Sequence, residues 1–473
     1  MDPAPATIRP RPRNGDELEL TIDSLAYGGA GVARLDGYVV FVQDAIPGDR
    51  VRAVVEKSKR AYAQARAVEV LDPSPERIPP LAAHPGAPWQ VLPYERQLET
   101  KQAQVDDALR RIGRLDGFEL EPIIEAVEPW RYRNKLEYSF GTDGGGRLVC
   151  GFHAPGSWEE IVEVTDCLLA SEAGNAAREQ VVAWCRSQGL GAFDRRTGEG
   201  FLRNLVVRES RRGGELQVRL VTSPGRLDTE GLAEAVAGAA DRSVGGLLWT
   251  RLDSVAETTQ GGETELIAGG DRLEEEIGGM RVRISPNAFF QTNTEMAERL
   301  YRLAIEYAAP AATDRVYDLY CGIGTIGLLM APRAREVWGL ELVEEAIADA
   351  IANATLNEVE NARFFAGDVR LALRELVERA GRPDVLVVDP PRSGLSQKVV
   401  RRVIEAGPRR IVYVSCNPTT LAPNAAQLVE AGYALRRVRA VDMFPQTPHI
   451  ECVALLERSS SSQGQTFALR APA

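Results

Sequence analysis

Five short apolar runs follow one another after Thr294, with helical stretches between them: Val316–Leu319, Glu336–Leu340, Ala362–Phe365, Val385–Val388 and Ile411–Val414. Strands that alternate with helices pair in parallel, because each crossover needs the length of chain that a helix supplies, so this region reads as an α/β sheet. Two later segments, around Leu435–Val438 and Ile450–Leu456, are expected to close the sheet as an antiparallel pair. Ligands of such sheets gather outside the carboxyl ends of the strands. The residues at those ends therefore carry the chemistry.

The first end is Asp318-Leu319-Tyr320-Cys321-Gly322-Ile323-Gly324, a glycine turn that lets backbone approach a nucleotide-like ligand, with Gly322 at its centre. No lysine of the kind that grips triphosphates follows these glycines, which disfavours a nucleoside triphosphate. Glu341 ends the second strand, placed to accept hydrogen bonds from both ribose hydroxyls, and Asp368 follows the third, placed to hold an adenine amino group. The fourth end is Asp389-Pro390-Pro391-Arg392, where two prolines fix the backbone and Asp389 offers an acceptor to a planar base or amide. At the fifth, Asn417-Pro418 stops ladder pairing directly after Cys416. A thiolate there is suited to attack on an electron-poor carbon, and Glu451, on the closing hairpin after His449, is placed to return as a general base. An orienting role is expected of His449.

Upstream, alternating short strands between about Glu17 and Leu71 are separated by Gly28-Gly29-Ala30-Gly31, Asp36-Gly37 and Pro47-Gly48-Asp49, the pattern of a small antiparallel β-barrel. Asp72-Pro73-Ser74-Pro75 marks a boundary. Beyond it come a helix expected over Tyr94–Ile112 and strands at Leu136–Phe140, Leu216–Val221 and Gly246–Thr250, an α+β region. Within that region Trp130-Arg131-Tyr132-Arg133-Asn134-Lys135 interleaves aromatic and cationic side chains, a pattern suited to phosphate pairing and base stacking, so Arg131, Arg133 and Lys135 are candidate RNA contacts. The net charge of -11 excludes indiscriminate nucleic-acid binding but leaves room for one basic face.

The six cysteines are scattered without a CxxC pair, which points to free thiols in a reducing compartment rather than to zinc. With no run of 18 apolar residues and no apolar segment behind a basic start, a cytoplasmic protein without membrane insertion is expected. The expected division is a barrel with a disordered N-terminal tail over 1–75, a central RNA-binding domain over 76–285, a catalytic domain over 286–458 and a mobile tail over 459–473.

Taken in order, Gly31-Val32-Ala33-Arg34 with Ile46-Pro47-Gly48-Asp49, Tyr132-Arg133-Asn134-Lys135, Asn287-Ala288-Phe289-Phe290-Gln291-Thr292-Asn293, the Asp318–Gly324 turn, Asp389-Pro390-Pro391-Arg392, Ser415-Cys416-Asn417-Pro418 and Asp442–Glu451 resemble the S-adenosylmethionine-dependent RNA (uracil-5-)-methyltransferases that carry an N-terminal TRAM barrel. The resemblance spans nearly the whole chain. It implies a TRAM/OB-like β-barrel, a central α+β domain and a Rossmann-like methyltransferase domain. By it, Gln291, Tyr320, Thr325, Glu341, Asp368 and Asp389 fall on cofactor or active-site positions, Cys416 on the nucleophile and Glu451 on the base. The implied reaction is addition of the Cys416 thiolate to uracil C6, methylation at C5, and removal of the C5 proton by Glu451, on a base unstacked onto Phe289 or Phe290. Structured RNA, ribosomal rather than transfer, is the expected partner of a monomeric enzyme.

Members of this branch often hold an iron-sulfur cluster on three cysteines after the barrel and a fourth in the middle domain. The stretch Ala82–Gln90 has no cysteine, although Cys167 stands where the fourth would fall, so no cluster and no other metal is expected. A smaller departure is Pro423-Asn424, where the family usually has Arg-Asp. Two other readings compete: methylation of another RNA position, and a noncatalytic RNA-binding factor that kept the fold. Amine methylation needs no cysteine, and the presence of both Cys416 and Glu451 disfavours a noncatalytic role. A radical enzyme sharing the barrel would need a CxxxCxxC cluster, which the sequence lacks.

Overall fold

The computed structural model describes residues 11–237, 242–254, 256 and 258–459; the N-terminal tail, and the C-terminal tail beyond Ser459, lie outside them. The chain forms two compact units, one running through Gln104 and including Phe444–His449, the other comprising Val105–Met443 and the chain from Ile450.

In the first unit, six strands from Glu17 to Asp72 form one sheet around a core that includes Leu20, Val40, Val42, Val51, Ala53, Val55, Ala63 and Ala65. Val51, Ala53 and Val55 recur at period two, so they share the buried face. Four of its strand pairings are antiparallel, as expected for the barrel, but Tyr38–Gln43 pairs in parallel with Tyr62–Asp72. The reason is topological: Arg50–Ser58 intervenes in the chain and pairs on the far side of Tyr62–Asp72, so the last strand re-enters in the direction of Tyr38–Gln43. Asp49 closes the Ile46–Asp49 turn. Its fully buried carboxylate accepts from Ile46 N at 2.9 Å and Ser74 N at 2.9 Å and receives the Arg77 guanidinium at 3.0 and 2.6 Å. Burial pushes the Asp49 pKa up, but Arg77 and the two backbone donors outweigh it and hold the group below its ordinary value.

The helix expected from Tyr94 forms over Tyr94–Asp107 and continues as a π-turn over Ala108–Ile112. Before it, the stretch after the barrel is closed by side chains. Gln90 donates to Ala82 O at 2.9 Å and accepts from Leu81 N at 2.9 Å, while His84 Nδ1 accepts from Gly86 N at 3.1 Å.

The second unit contains a seven-stranded, mostly antiparallel sheet running from Ile161–Glu163 at one edge to Glu263–Gly269 at the other, and an eight-stranded mixed sheet. The order of the latter is Ala362–Ala366, Glu336–Glu341, Arg315–Leu319, Val385–Val388, Arg410–Ser415, Glu451–Arg458, Tyr433–Val441, Glu119–Ile124. The first five strands are mutually parallel and Glu451–Arg458 is antiparallel to both its neighbours. One strand has no counterpart in the sequence reading: Glu119–Ile124, far upstream in the chain, pairs in parallel with Tyr433–Val441 and ends the sheet. Its Glu-Leu-Glu-Pro-Ile-Ile sequence has a proline and an incomplete alternation, and it fits only an edge position. Among the described residues no helix is long and apolar enough to cross a membrane.

Candidate active site

The sequence order of the strands reverses between Arg315–Leu319 and Val385–Val388, the switch point at which an open α/β sheet leaves a crevice. Asp318 lies at that point, buried. Its Oδ2 accepts from Gly327 N at 2.8 Å, the first turn of the helix Thr325–Met330, while its Oδ1 is buried without a hydrogen-bond partner among the described residues. Burial, opposed by the Gly327 bond and reinforced by Asp389 and Glu341, raises its pKa to about 7. Tyr320 then takes a left-handed conformation, φ 64°, a strained choice for a non-glycine residue, and Gly322 and Gly324 follow at φ 53° and 83°. A Cβ at Gly322 would meet nothing, so the turn faces open space; one at Gly324 would strike the Phe364 ring at 2.8 Å. Thr325 is buried as the first residue of the helix.

Glu341 is held by three backbone donors, Leu342 N at 2.7 Å, Val343 N at 3.0 Å and Gly322 N at 3.3 Å, which joins the first two strand ends. The exposed side chains of Leu342 and Val343 follow it. Asp368 caps the helix Val369–Ala380 by accepting from Arg370 N at 2.8 Å and is also gripped by the Arg370 guanidinium, which keeps its pKa below the ordinary value. Asp389 is half-buried at the fourth end, where burial pushes its carboxyl up to about 7.

Cys416 and Glu451 meet through register. Ser415 pairs with Cys452 at the end of the antiparallel ladder, so Cys416 and Glu451 are the next residues out on the two strands. Glu451 is buried, and burial followed by the charge of Asp389 pushes its pKa well up, with Arg392 opposing. The Cys416 thiol, half-buried, is raised to about 11 by burial and then by Glu451 and Asp389, again opposed by Arg392. The turn carrying Asp389 and Arg392 is fixed against the helix Pro418–Glu430. Asn417 Nδ2 donates to Arg392 O at 3.0 Å, and Asn424 accepts from Leu395 N at 2.8 Å and Tyr413 Oη at 2.9 Å. Asn424, the departure from the family's acid, is thus a buried clamp.

Gln291 is buried on the loop before the helix Thr294–Ala308. That loop is pinned by Asn134, whose Nδ2 donates to Gln291 O at 2.9 Å and to Thr294 Oγ1 at 2.8 Å, and by Arg208 and Arg219, which reach Ala288 O at 2.9 Å and Asn287 Oδ1 at 2.6 Å. Phe289 is 68% exposed, whereas Phe290 is 5% exposed and packs inward. Of the candidate cations, Arg131 is paired with Asp166 at 2.9 Å and Lys135 with Glu137 at 2.6 Å; burial, then Arg208, lowers the Lys135 pKa. Arg133 is half-buried. Buried Tyr132 and Asn134 give this motif a supporting part that its composition does not show.

Two residues beside the acids escape a sequence reading. Arg392 has no role assigned within its motif, although it is the cation that acts on both Cys416 and Glu451. Tyr301, fully enclosed on the helix Thr294–Ala308, senses the charges of Asp389, Asp318 and Glu451. Nothing in its local sequence sets it apart from any other core tyrosine.

A glycine turn facing open space, an unpartnered buried carboxylate oxygen and several acids at a switch point fit a cationic nucleoside. The fold and these strand ends define a Rossmann-like methyltransferase that uses S-adenosylmethionine. The sequence signature of the tRNA (Uracil-5-)-methyltransferase family matches residues 270–459, and that of the TRAM domain residues 11–68. The chain is 39% identical to an RNA methyltransferase of Caldanaerobacter subterraneus subsp. tengcongensis over 94% of its own length and 99% of the relative's, and 37% identical to one of Bacteroides thetaiotaomicron over 92% and 100%. Among solved structures it resembles the Pyrococcus abyssi tRNA (uracil-54, C5)-methyltransferase in complex with S-adenosyl-L-homocysteine, with a TM-score of 0.74 and 28% identity over 93% of this chain and 100% of that one. The chain belongs to the TRAM-bearing RNA (uracil-5-)-methyltransferase family.

The family's iron-sulfur cluster does not fit this donor set. Residues 82–90 offer no thiolate, their loop is closed by Gln90 and His84, and Cys167 is one buried thiol whose pKa burial raises. Among the described residues no group of three or more His, Cys, Asp or Glu side chains is placed to hold a metal ion.

Proposed function

We propose that this enzyme methylates C5 of a uridine in structured RNA through a covalent bond between Cys416 and C6 of the base. The observation that carries the reading is the placement of Cys416 and Glu451 at adjoining register positions on the crevice edge, beside Asp389 and Arg392.

S-Adenosylmethionine, when bound, supplies an electrophilic methyl group and a positive charge. Asp318, Gly322, Glu341 and Asp389 are proposed to hold it, with Gln291, Tyr320, Thr325 and Asp368 lining its place. In the ligand-free site Cys416 is a thiol, and Arg392 is the side-chain cation favouring its ionisation. The thiol proton is lost to solvent, and addition of the resulting thiolate to C6 moves the C5=C6 electron pair toward the C4 oxygen and makes C5 a nucleophile. Once C5 carries the methyl group, Glu451, having released to solvent the proton that its raised pKa holds, takes the C5 proton as a carboxylate; the freed electron pair restores C5=C6 and expels the Cys416 thiolate. Exposed Phe289 is the proposed stacking surface for the flipped base, and Arg131, Arg133 and Lys135 support RNA nearby.

Ribosomal RNA in the cytoplasm is the proposed carrier of the uridine. Transfer RNA is a second reading, favoured by the likeness to the Pyrococcus abyssi enzyme. Mapping 5-methyluridine in ribosomal and transfer RNA treated with the enzyme distinguishes them. For the chemistry, Glu451→Gln should accumulate a protein–RNA adduct that survives a denaturing gel, and Cys416→Ala should abolish both adduct and turnover while keeping cofactor affinity within a few-fold. Normal turnover in either variant would sink the assignment.

A further inference from the structure

A second concave surface lies in the central region, lined by neither sheet end of the crevice. It is a cavity of about 290 Å³ between the strand Lys135–Thr142, the end of Leu148–His153 and the chain around 158–161 and 192–204. None of its lining belongs to the sheet that carries Cys416 and Glu451. The size is at the lower end of small-ligand pockets and suits one nucleoside-sized group.

The lining is built from planes and cations. The Arg203 guanidinium lies over the Phe193 ring, 4.0 Å from its centroid, and is steadied by Nε donating to Ser223 Oγ at 3.0 Å. Trp158 stands at the rim, 57% exposed. Arg195 and Arg196 are displayed by a tight turn in which Asp194 Oδ1 accepts from Arg196 N at 2.7 Å and Gly198 N donates to Asp194 O at 2.8 Å. Gly200 closes that turn at φ 104°, where a Cβ would lie 2.1 Å from Ala192 O, so no other residue fits. Burial and the neighbouring charge of Arg195 both disfavour the Arg203 cation, and Asp253 only partly offsets them. A phosphate would relieve that crowding.

We propose that this cavity binds one unpaired nucleotide of the substrate RNA, its base stacked on the Trp158 and Phe193–Arg203 surfaces and its phosphate held by Arg195 and Arg196. Stacking planes beside cations are how single-stranded nucleic acid is held without base-edge readout. The acids on the rim, Asp194 and Glu159, favour this over a bare anion, because a nucleotide brings stacking surface as well as charge. The inference rests on the enzyme's being an RNA methyltransferase and is independent of the roles of Cys416 and Glu451.

The test is the full-length double variant Trp158→Ala, Arg196→Ala, both side chains being exposed and removable without opening the core. Affinity for an RNA substrate with unpaired nucleotides should fall about 5- to 150-fold once the base loses the Trp158 ring. The logarithmic salt slope should flatten by about 0.7, because one phosphate is no longer neutralised by Arg196. KM for RNA should rise, while kcat at saturating RNA and the affinity for S-adenosylhomocysteine stay unchanged. Unchanged RNA affinity and salt slope would overturn the proposal, as would an equal drop in affinity for a fully paired duplex, which has no nucleotide to insert.

Discussion

Asp318 couples the crevice to pH. Its folded-state pKa of about 7 stands above the ordinary 3.8, so its contribution to stability is fully present below about pH 4 and is lost as pH rises through 7. Asp318→Asn keeps an oxygen for Gly327 N and removes the ionisation. At pH 8 the ligand-free variant should therefore be more stable than the parent by up to about 4 kcal/mol, and the gap should narrow at pH 5 and close only near pH 4, as followed by thermal unfolding at pH 8 and pH 5. S-Adenosylhomocysteine affinity at pH 8 should drop at the same time; a variant melting below the parent at pH 8 would contradict the assignment. The carboxylates here are legible in the sequence because each lies at or near the end of an apolar run, the position where an α/β sheet meets its ligand. Tyr301 is not, since its relation to the acids exists only once the helix Thr294–Ala308 packs beneath them. The burial that separates Phe290 from Phe289 likewise depends on which side of the loop meets the core.

Among the elements, the loop 287–293 shows how a crevice wall is held from a distance. It has no regular structure, yet Asn134, Arg208 and Arg219 reach it from the seven-stranded sheet and the segment just before that sheet. Asn134→Ala would leave the Gln291 carbonyl buried without its donor, at a cost of about 1–3 kcal/mol. The melting temperature should fall by several degrees, and S-adenosylhomocysteine should bind several-fold more weakly by titration calorimetry because Gln291 loses its fixed position. A stable variant with full cofactor affinity would show that Asn134 does not position the loop. The strands of the catalytic sheet lie close to where their apolar runs place them, at Arg315–Leu319, Glu336–Glu341, Ala362–Ala366, Val385–Val388 and Arg410–Ser415. Their hydrophobicity is local information. Glu119–Ile124 escapes such a reading because an edge strand next to Tyr433–Val441 needs only one good face, and its partner lies more than three hundred residues away.

For the whole molecule, the absence of thiolates from residues 82–90 sets a testable stability pattern. The closure by Gln90, which contributes three hydrogen bonds to Leu81 and Ala82, takes the place of ligand bonds. The purified enzyme should therefore be colourless, iron-free after anaerobic preparation, and indifferent to chelators in its melting temperature. Gln90→Ala, by contrast, should destabilise it by about 1–3 kcal/mol. Stoichiometric iron with a visible absorption band would show that the ligands had been misplaced. Sequence alone determined the α/β class, the acids and thiol at successive strand ends and the small β-barrel at the start, because apolar periodicity, glycine turns and proline stops act within a few residues of themselves. Only the tertiary structure decided that Cys416 and Glu451 adjoin, that the Arg392 charge acts on both, and that the cationic motif around Tyr132 is largely committed to internal pairs and support. Those outcomes rest on register, burial and charge summed over segments far apart in the chain, and these quantities exist only once the sheets are assembled.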